Sequence, residues 1–496
     1  MDDRNKRYSH IIKYAGIFGG VQGLAILVSV VRNKIVSVLL GPDGVGLTAL
    51  FNATIKFISD STNLGISISA VREVSEAYET NNQQRLQHAI MLIRSWSFAT
   101  ALLGMLLSIA LSPLLNHSTF QWGDHTLHFI LLSPVVALIG ITAGEMAVLK
   151  GTRQLRQLAA ISAYNAILAL IISVPLYYFW QAAAIVPSLF LLALAQMLLV
   201  VGYSFRLYPP RISFRKQMIN EGLGMVRLGV AFVFAGILGS GAELVIRAFV
   251  NYVDSPAEVG LYSAGYVMTM TYAGMVFSAM ETEYFPRLSA IQGVGAELNE
   301  AVNSQIEVCL LMLSPLLVAF MTGLPLLLPL LYSGKFLPVI GMMQVMVLAI
   351  FLRAMELPIS YLPLAKGDSR SYLLMEACYD VVVVILVIAG YKLWGFTGAG
   401  VGITLAALFD FLMLCLYMRW RYKYQVSATV WRYVTLQLPI VLASYLTTFI
   451  SNEWAYWTVG ILLTLASTAL SLGILSTETQ ILKTIKAKLI KRWRKK

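Results

Sequence analysis

Five basic side chains sit inside stretches of sequence that otherwise read as hydrocarbon: Arg32, Lys34, Lys56, Arg247 and Arg353. Six carboxylates lie near the middle of those stretches: Asp60, Glu145, Glu243, Glu356, Asp380 and Asp410. An ionised side chain in lipid costs roughly 3 kcal/mol or more, so each should face a cavity or a partner. Helical spacing offers some partners. Lys56 with Asp60 and Glu243 with Arg247 are four residues apart, and Arg353 with Glu356 three, so each pair can meet on one helical face. Structural neutralisation within the protein is one reading of those six. Arg32 and Lys34 have no such partner on their own helix. They lead the candidates for holding a phosphate-bearing substrate, ahead of Lys56, Arg247 and Arg353, because a guanidinium can clasp phosphate through two parallel hydrogen bonds. Snorkelling to the membrane surface is the alternative, more so for Lys34, which lies nearer the helix end. Glu145 and Asp410 lack a basic neighbour on their own helices. They head the candidates for coupling transport to an ion gradient, followed by Asp60, Glu243 and Glu356. A protonated or hydrogen-bonded structural carboxyl is the competing reading.

The elements that must position these residues are membrane helices. Of 496 residues, 58% are hydrophobic and 12% charged, about half the charged share of a water-facing globule. Apolar runs of spanning length occur at 11–40, 45–70, 89–115, 128–149, 157–180, 183–205, 224–250, 258–285, 304–332, 338–365, 371–391, 396–418, 432–451 and 454–475. These fourteen should all be helical, because lipid offers no partner to an unpaired backbone amide. The run after the charged N-terminus is too long for a signal sequence, so it reads as a retained span. Cys309, Cys378 and Cys415 all lie in apolar runs and imply no disulfide framework.

The basic residues orient the spans. With the N-terminus cytoplasmic, thirty of the 37 Lys and Arg fall on one face: the N-terminal arm, the loops near 71–94, 150–156, 206–227, 286–303, 366–370 and 419–432, and the tail. Only Lys335 and Lys392 fall on the other, and the remaining five are the intramembrane cations. One span missed or invented midway would destroy that bias, so both termini are expected in the cytoplasm. The net charge of +12 is thereby explained by orientation and anionic lipid headgroups, not by nucleic acid. In the tail, Ile481, Leu482, Ile485, Leu489, Ile490 and Trp493 alternate with eight basic residues. That pattern suits either a helix lying on the inner leaflet or a solvated basic tail.

An internal repeat divides the chain. Val45-Gly46-Leu47 recurs as Val259-Gly260-Leu261, an offset of 214. Lys150-Gly151-Thr152-Arg153 recurs as Lys366-Gly367-Asp368-Ser369-Arg370, an offset of 216, and Arg72 pairs with Arg287 at 215. Three matches in order, at equivalent topological positions, predict two six-helix lobes in parallel orientation, 1–210 and 211–425. Helices 13 and 14 (426–476) are an appended pair, and 477–496 is a basic cytoplasmic tail. The fold class expected is an all-α polytopic membrane protein.

The segment from Gly19 to Leu47 (GGVQGLAILVSVVRNKIVSVLLGPDGVGL), the Lys150-Gly-Thr-Arg element and the charged loop after the second span resemble polysaccharide flippases of the multidrug/oligosaccharidyl-lipid/polysaccharide exporter superfamily. More narrowly, they resemble an O-antigen (Wzx-type) translocase. The resemblance implies a flippase in the bacterial inner membrane for an oligosaccharide linked through pyrophosphate to undecaprenol. It also implies handover to a polysaccharide polymerase with its chain-length regulator, and a cation-lined cavity whose positions Arg32, Lys56, Arg247 and Arg353 approximate. No cofactor is implied.

Arg32 and Arg247 precede the repeated glycines by 14 and 13 residues, which places them at nearly equivalent depths. A membrane polymerase or glycosyltransferase needs an extended outer loop or domain for catalytic residues. The longest outer loop here, Asn116 to Leu127, holds about a dozen residues and one carboxylate. A drug or cation exporter is the nearer alternative, disfavoured by the cations. A scaffold has little reason to retain five of them. His117, His125 and His128 lie in or beside that loop without a metal-ligand spacing. Gly395, Gly398, Gly400 and Gly402 lack the strand and Lys-Ser/Thr of a phosphate loop and fit close helix packing.

Overall fold

The computed structural model describes residues 2–80, 82–119, 124–213, 216–271, 277, 284–285, 287–291 and 293–478, and no strand occurs among them. The helices are α1 (Asp2–Thr62), α2 (Ile66–Glu79), α3 (Gln83–Thr119), α4 (Thr126–Gly151), α5 (Leu155–Trp180), α6 (Ile185–Leu207), α7 (Lys216–Val253), α8 (Pro256–Tyr266), α9 (Ala296–Leu331), α10 (Ile340–Ala365), α11 (Ser369–Tyr422), α12 (Ala428–Thr447) and α13 (Glu453–Glu478).

Two of these are too long to be single spans. Sixty-one residues of straight helix would reach about 90 Å, three times the hydrocarbon thickness. The chain instead breaks at Gly41 (φ 64°, ψ −173°), a backbone that glycine adopts freely, and Pro42 opens the next segment, where its missing N–H costs nothing. The helix α11 breaks likewise at Trp394 and Gly395 (φ 57°, ψ −138°). Between α5 and α6 the chain turns at Gln181 (φ 46°, ψ −129°) through the short 3₁₀ stretch Gln181–Ala184. Among the described residues nine helical stretches are long and apolar enough to cross a membrane. Three of them (Leu27–Thr62, Arg156–Leu207 and Ser369–Tyr422) contain these breaks and supply two segments each. With α12 and the eighth segment, described through residue 271, these make up the fourteen spans read from the sequence.

One stretch differs from expectation. The second span ends at Thr62, and the supposed loop over 71–94 is largely helical. The reason is the spacing of Ile66, Ala70, Val74 and Ala77, which forms one apolar stripe that packs on Ile93 and Val148. Its other face carries Arg72 and Glu76, 2.8 Å apart.

The repeat is more regular than its sequence traces. At a constant offset of 214, α4 (Thr126–Gly151) falls on α10 (Ile340–Ala365), and α5 starts where α11 starts. The left-handed break at Gln181 falls on that at Gly395. The turn after α4 repeats bond for bond. Thr152 N donates to Val148 O, Arg153 N to Lys150 O and Gln154 N to Leu149 O; Lys366, Gly367 and Asp368 donate to Leu362, Leu364 and Pro363. Positive φ recurs at Arg153 and Gly367. The Lys-Gly match at offset 216 was therefore two residues out of register: Lys366 corresponds to Thr152, and Arg153 to Gly367.

The Cα positions group into two compact units, 1–263 with 330–336, and 264–329 with 337–496. In the first, α2, α3 and α4 share the core around Ile93 and Val148, and α1 packs along α5 and α7. In the second, Ile306 and Leu310 of α9, Phe351 of α10, Met418 of α11 and Val441 of α12 share one continuous core. Within lipid such cores are held by van der Waals packing more than by exclusion of water. The glycines of the α11 turn serve that packing, since Gly390 and Gly398 lie so close that a methyl on either would overlap the other's carbonyl oxygen. The basic tail lies, from residue 479 on, outside the described residues.

Candidate functional site

In the first unit, the second segment of α1 and the C-terminal half of α7 bring three of the predicted residues together. Lys56 Nζ lies 2.7 Å from Glu243 Oε2, and Arg247 Nη1 lies 2.6 Å from Glu243 Oε1. The i,i+4 pair on α7 therefore forms. Lys56 reaches across to α7 instead of to Asp60, whose carboxylate takes the Ser240 hydroxyl as its hydrogen-bond partner. Arg247 is fixed further by Nε donating to Ser263 Oγ at 3.0 Å. Its side chain is 6% exposed, that of Glu243 29% and that of Lys56 56%. The cluster thus grades from an anchored, buried guanidinium to an open ammonium, with one carboxylate shared between them.

Arg32 stands apart from that cluster. Its Nε donates to Ser173 Oγ of α5 at 3.0 Å, beside Tyr177, whose hydroxyl bonds Ser188. Arg32 and Arg247 are 215 residues apart, one more than the repeat. They share a depth to within a residue but point about 100° apart around their helices. Lys34 is half-buried one half-turn beyond Arg32.

The second unit holds the other charged constellation. Arg353 and Glu356 of α10 meet Glu376, Tyr379 and Asp410 of α11. Arg353 interacts electrostatically with Glu356, as the spacing predicted, but Glu356 also hydrogen-bonds Asp410. A bond between two carboxyl groups exists only while one of them carries a proton. Ser360, Tyr372, Glu376, Tyr379 and Asp410 line a narrow cavity beside this pair. Asp380, one turn beyond Glu376, keeps a buried oxygen without a hydrogen-bond partner. Glu376 was missed in the sequence because it opens a predicted span; its stripe with Tyr372, Tyr379 and Asp380 was the available signal.

Glu145 has a basic partner that its own helix does not supply. Arg94, assigned from sequence to a loop, is a buried residue of α3 and grips Glu145 with both arms, Nε to Oε1 at 2.8 Å and Nη2 to Oε2 at 3.1 Å. The remaining donors of Arg94 reach the carbonyls of Pro209 and Tyr208, its face covers the Phe205 ring at 4.7 Å, and Ser204 donates to Glu145. The partner absent from its own helix comes from a neighbour, and these bonds tie α3, α4 and α6 together.

The repeat register exposes an asymmetry. Arg353, Glu356, Glu376, Tyr379, Asp380 and Asp410 correspond to Ile139, Thr142, Ser162, Asn165, Ala166 and Gln196. Arg94 and Glu145 correspond to Val308 and Ile359. One scaffold thus carries a titratable cluster in its second copy and a neutral one in its first. Before and within the first turn of α4, His125 and His128 face each other at 3.3 Å. No group of His, Cys, Asp and Glu able to hold a metal ion occurs among the described residues.

Two matching runs of bent helices, with nine stretches among the described residues long and apolar enough to cross a membrane, define an all-α polytopic membrane protein. A family model described as polysaccharide biosynthesis protein matches residues 35–341, more than half of the chain, and the chain belongs to that family. Among solved structures, the lipid II flippase MurJ in an inward closed conformation is similar with a TM-score of 0.72 at 13% identity, covering 92% of this chain and 99% of that one. An inward-facing multidrug resistance transporter of the MATE family, in the MOP superfamily, is similar at 0.62 and 15% identity, covering 81% and 94%. An outward-facing form of a MATE family transporter gives 0.55 at 15%, covering 82% and 93%. At these identities the likeness is one of fold alone. No sequence among curated proteins matches the chain.

Proposed function

We propose that the protein is a flippase that carries an undecaprenyl-pyrophosphate-linked oligosaccharide, an O-antigen or related repeat unit, from the cytoplasmic to the periplasmic leaflet by alternating access. Its moving parts are the two six-helix lobes, 1–210 and 211–425, with 426–476 appended and 477–496 a cytoplasmic tail. It sits in the bacterial inner membrane with both termini cytoplasmic and passes its cargo to a polymerase and its chain-length regulator. The observation that carries this reading is the convergence of Lys56 and Arg247 on one exchangeable anion, with the ammonium open and the guanidinium anchored. That arrangement suits a ligand bearing two phosphates, with Arg32 and Lys34 on the first segment of α1 as further contacts. Membership of a polysaccharide biosynthesis family supports the cargo class.

The test is complementation of a flippase-null strain. Wild type should restore surface glycan, and Arg32→Ala and Arg247→Ala should not, at equal protein levels. Full glycan assembly by both variants would remove the cationic site from the mechanism. A cation-coupled exporter of small molecules is the second reading, favoured by the carboxyl cluster around Glu356 and Asp410. Export of cationic dyes without glycan rescue would establish it instead.

A further inference from the structure

We infer that Glu243 is a resident counter-anion: it neutralises the two cations of the site in the empty protein, yields them to the diphosphate of the cargo, and expels that diphosphate on its return. The inference rests on the cargo proposed above and assigns Glu243 a role other than ion coupling.

The geometry is that of a bridging anion. Each oxygen of Glu243 serves a different cation on a different helix, Oε2 to Lys56 of α1 at 2.7 Å and Oε1 to Arg247 of α7 at 2.6 Å. A phosphate set between the same donors would use the same two directions. Of the three side chains, Arg247 is the one held in place, by Ser263 and by the Glu243 main-chain carbonyl at 3.4 Å. The carboxylate and the ammonium are the partly exposed ones. Exchange therefore requires only the Glu243 side chain to swing away, while the guanidinium stays aimed.

Charge explains why such a residue is needed. Lys56 and Arg247 brought together without an anion would repel and would be poorly solvated at membrane depth. Asp60 does not fill the gap: it bonds Ser240 and interacts electrostatically with Lys56, whereas Glu243 contacts both cations. A single carboxylate is outcompeted by a ligand carrying two charges. Being tethered, it nevertheless competes at high effective concentration, which keeps bound cargo releasable. The repeat places Ser29 at the position equivalent to Glu243, so this device belongs to one copy only.

The test uses the full chain in nanodiscs with farnesyl-pyrophosphoryl-N-acetylglucosamine as probe, and in proteoliposomes for turnover of the same probe. Glu243→Gln keeps the shape and removes the charge. It should bind the probe about ten-fold more tightly than wild type. It should also show a larger probe-induced rise in melting temperature and turn over more slowly, with KM and kcat falling together. A merely structural Glu243 would lower the melting temperature and leave probe affinity unchanged or weaker, and that result overturns the inference while the cargo assignment stands. Absence of probe binding in both proteins overturns the cargo and this inference with it. Should Glu243→Gln fail to accumulate, Glu243→Asp is one methylene too short to reach both cations. It should shift affinity in the same direction by a smaller factor, and unchanged or weaker binding by it overturns the inference equally.

Discussion

At the scale of single residues, what a carboxylate does here is decided by what reaches it from other helices. Glu145 is clamped by a buried guanidinium through two bonds, and its own removal would leave Arg94 charged and unpaired. Glu145→Gln should therefore destabilise the protein by roughly 3–5 kcal/mol. Arg94→Met should cost a similar amount, and the double variant Arg94→Met, Glu145→Leu should recover much of it, as read by thermal melting in detergent. A Glu145→Gln protein that melts like wild type but loses its response to an ion gradient would assign it the coupling role instead. Asp368, in the loop between α10 and α11, offers a pH test. Its slight burial would raise the carboxyl pKa, but Ser371 N–H and O–H, Tyr422 O–H and Arg421 together hold it below the ordinary carboxylate range. A depressed pKa contributes stability that is present above the unfolded value and lost as pH falls through the folded one. Asp368→Asn, which keeps an N-cap residue at the start of α11 and removes the charge, should cost about 1 kcal/mol at neutral pH. The gap between wild type and variant should close below about pH 4. A gap independent of pH would show that the charge contributes nothing.

At the scale of elements, the repeated Pro-x-x-Val-Gly-Leu starts meet each other. A methyl on Gly46 would overlap the carbonyl oxygen of Pro256, and one on Gly260 would overlap that of Pro42. The two contacts are reciprocal, so the helix starts cross about a local two-fold with backbone against backbone. Gly46→Ala and Gly260→Ala should each force the crossing apart and reduce glycan rescue to a similar extent. The double variant should be little worse than either, because one contact is lost once. Strictly additive losses would mean that the two glycines serve separate contacts. Much of this scale was legible in sequence: span number follows from hydropathy, and Val-Gly-Leu marked the crossing. What escaped was register and partner choice. The offset of 216 followed a chance Lys-Gly match, because turn geometry, not side-chain identity, is what repeats between Arg153 and Gly367. Arg94 looked like a loop cation because a sequence window cannot see that α6 and the Tyr208 carbonyl wait beside it.

At the scale of the whole molecule, the repeat separates scaffold from chemistry. Helix bounds, breaks and turns recur at 214, whereas the titratable residues do not, so those residues are departures from a common frame and not parts of it. The cationic cluster of Lys56, Glu243 and Arg247 lies in the first unit, and the carboxyl pair of Glu356 and Asp410 in the second. A proton held between those two carboxyls would leave only through the cavity beside them, and the charge of the pair would then change by one. This predicts divisible functions. Asp410→Asn should make transport in proteoliposomes indifferent to imposed proton and sodium gradients while the probe still binds with near wild-type affinity. Arg247→Ala should abolish probe binding with the gradient response of any residual transport intact. Introducing all of the first copy's residues at the cluster, with Arg353→Ile, Glu356→Thr, Glu376→Ser, Tyr379→Asn, Asp380→Ala and Asp410→Gln, should fold as well as wild type, because the first copy already packs those side chains on the same backbone. Wild-type transport that ignores both gradients would end the coupling assignment, and loss of probe binding in Asp410→Asn would place the carboxyl pair in the cargo site instead.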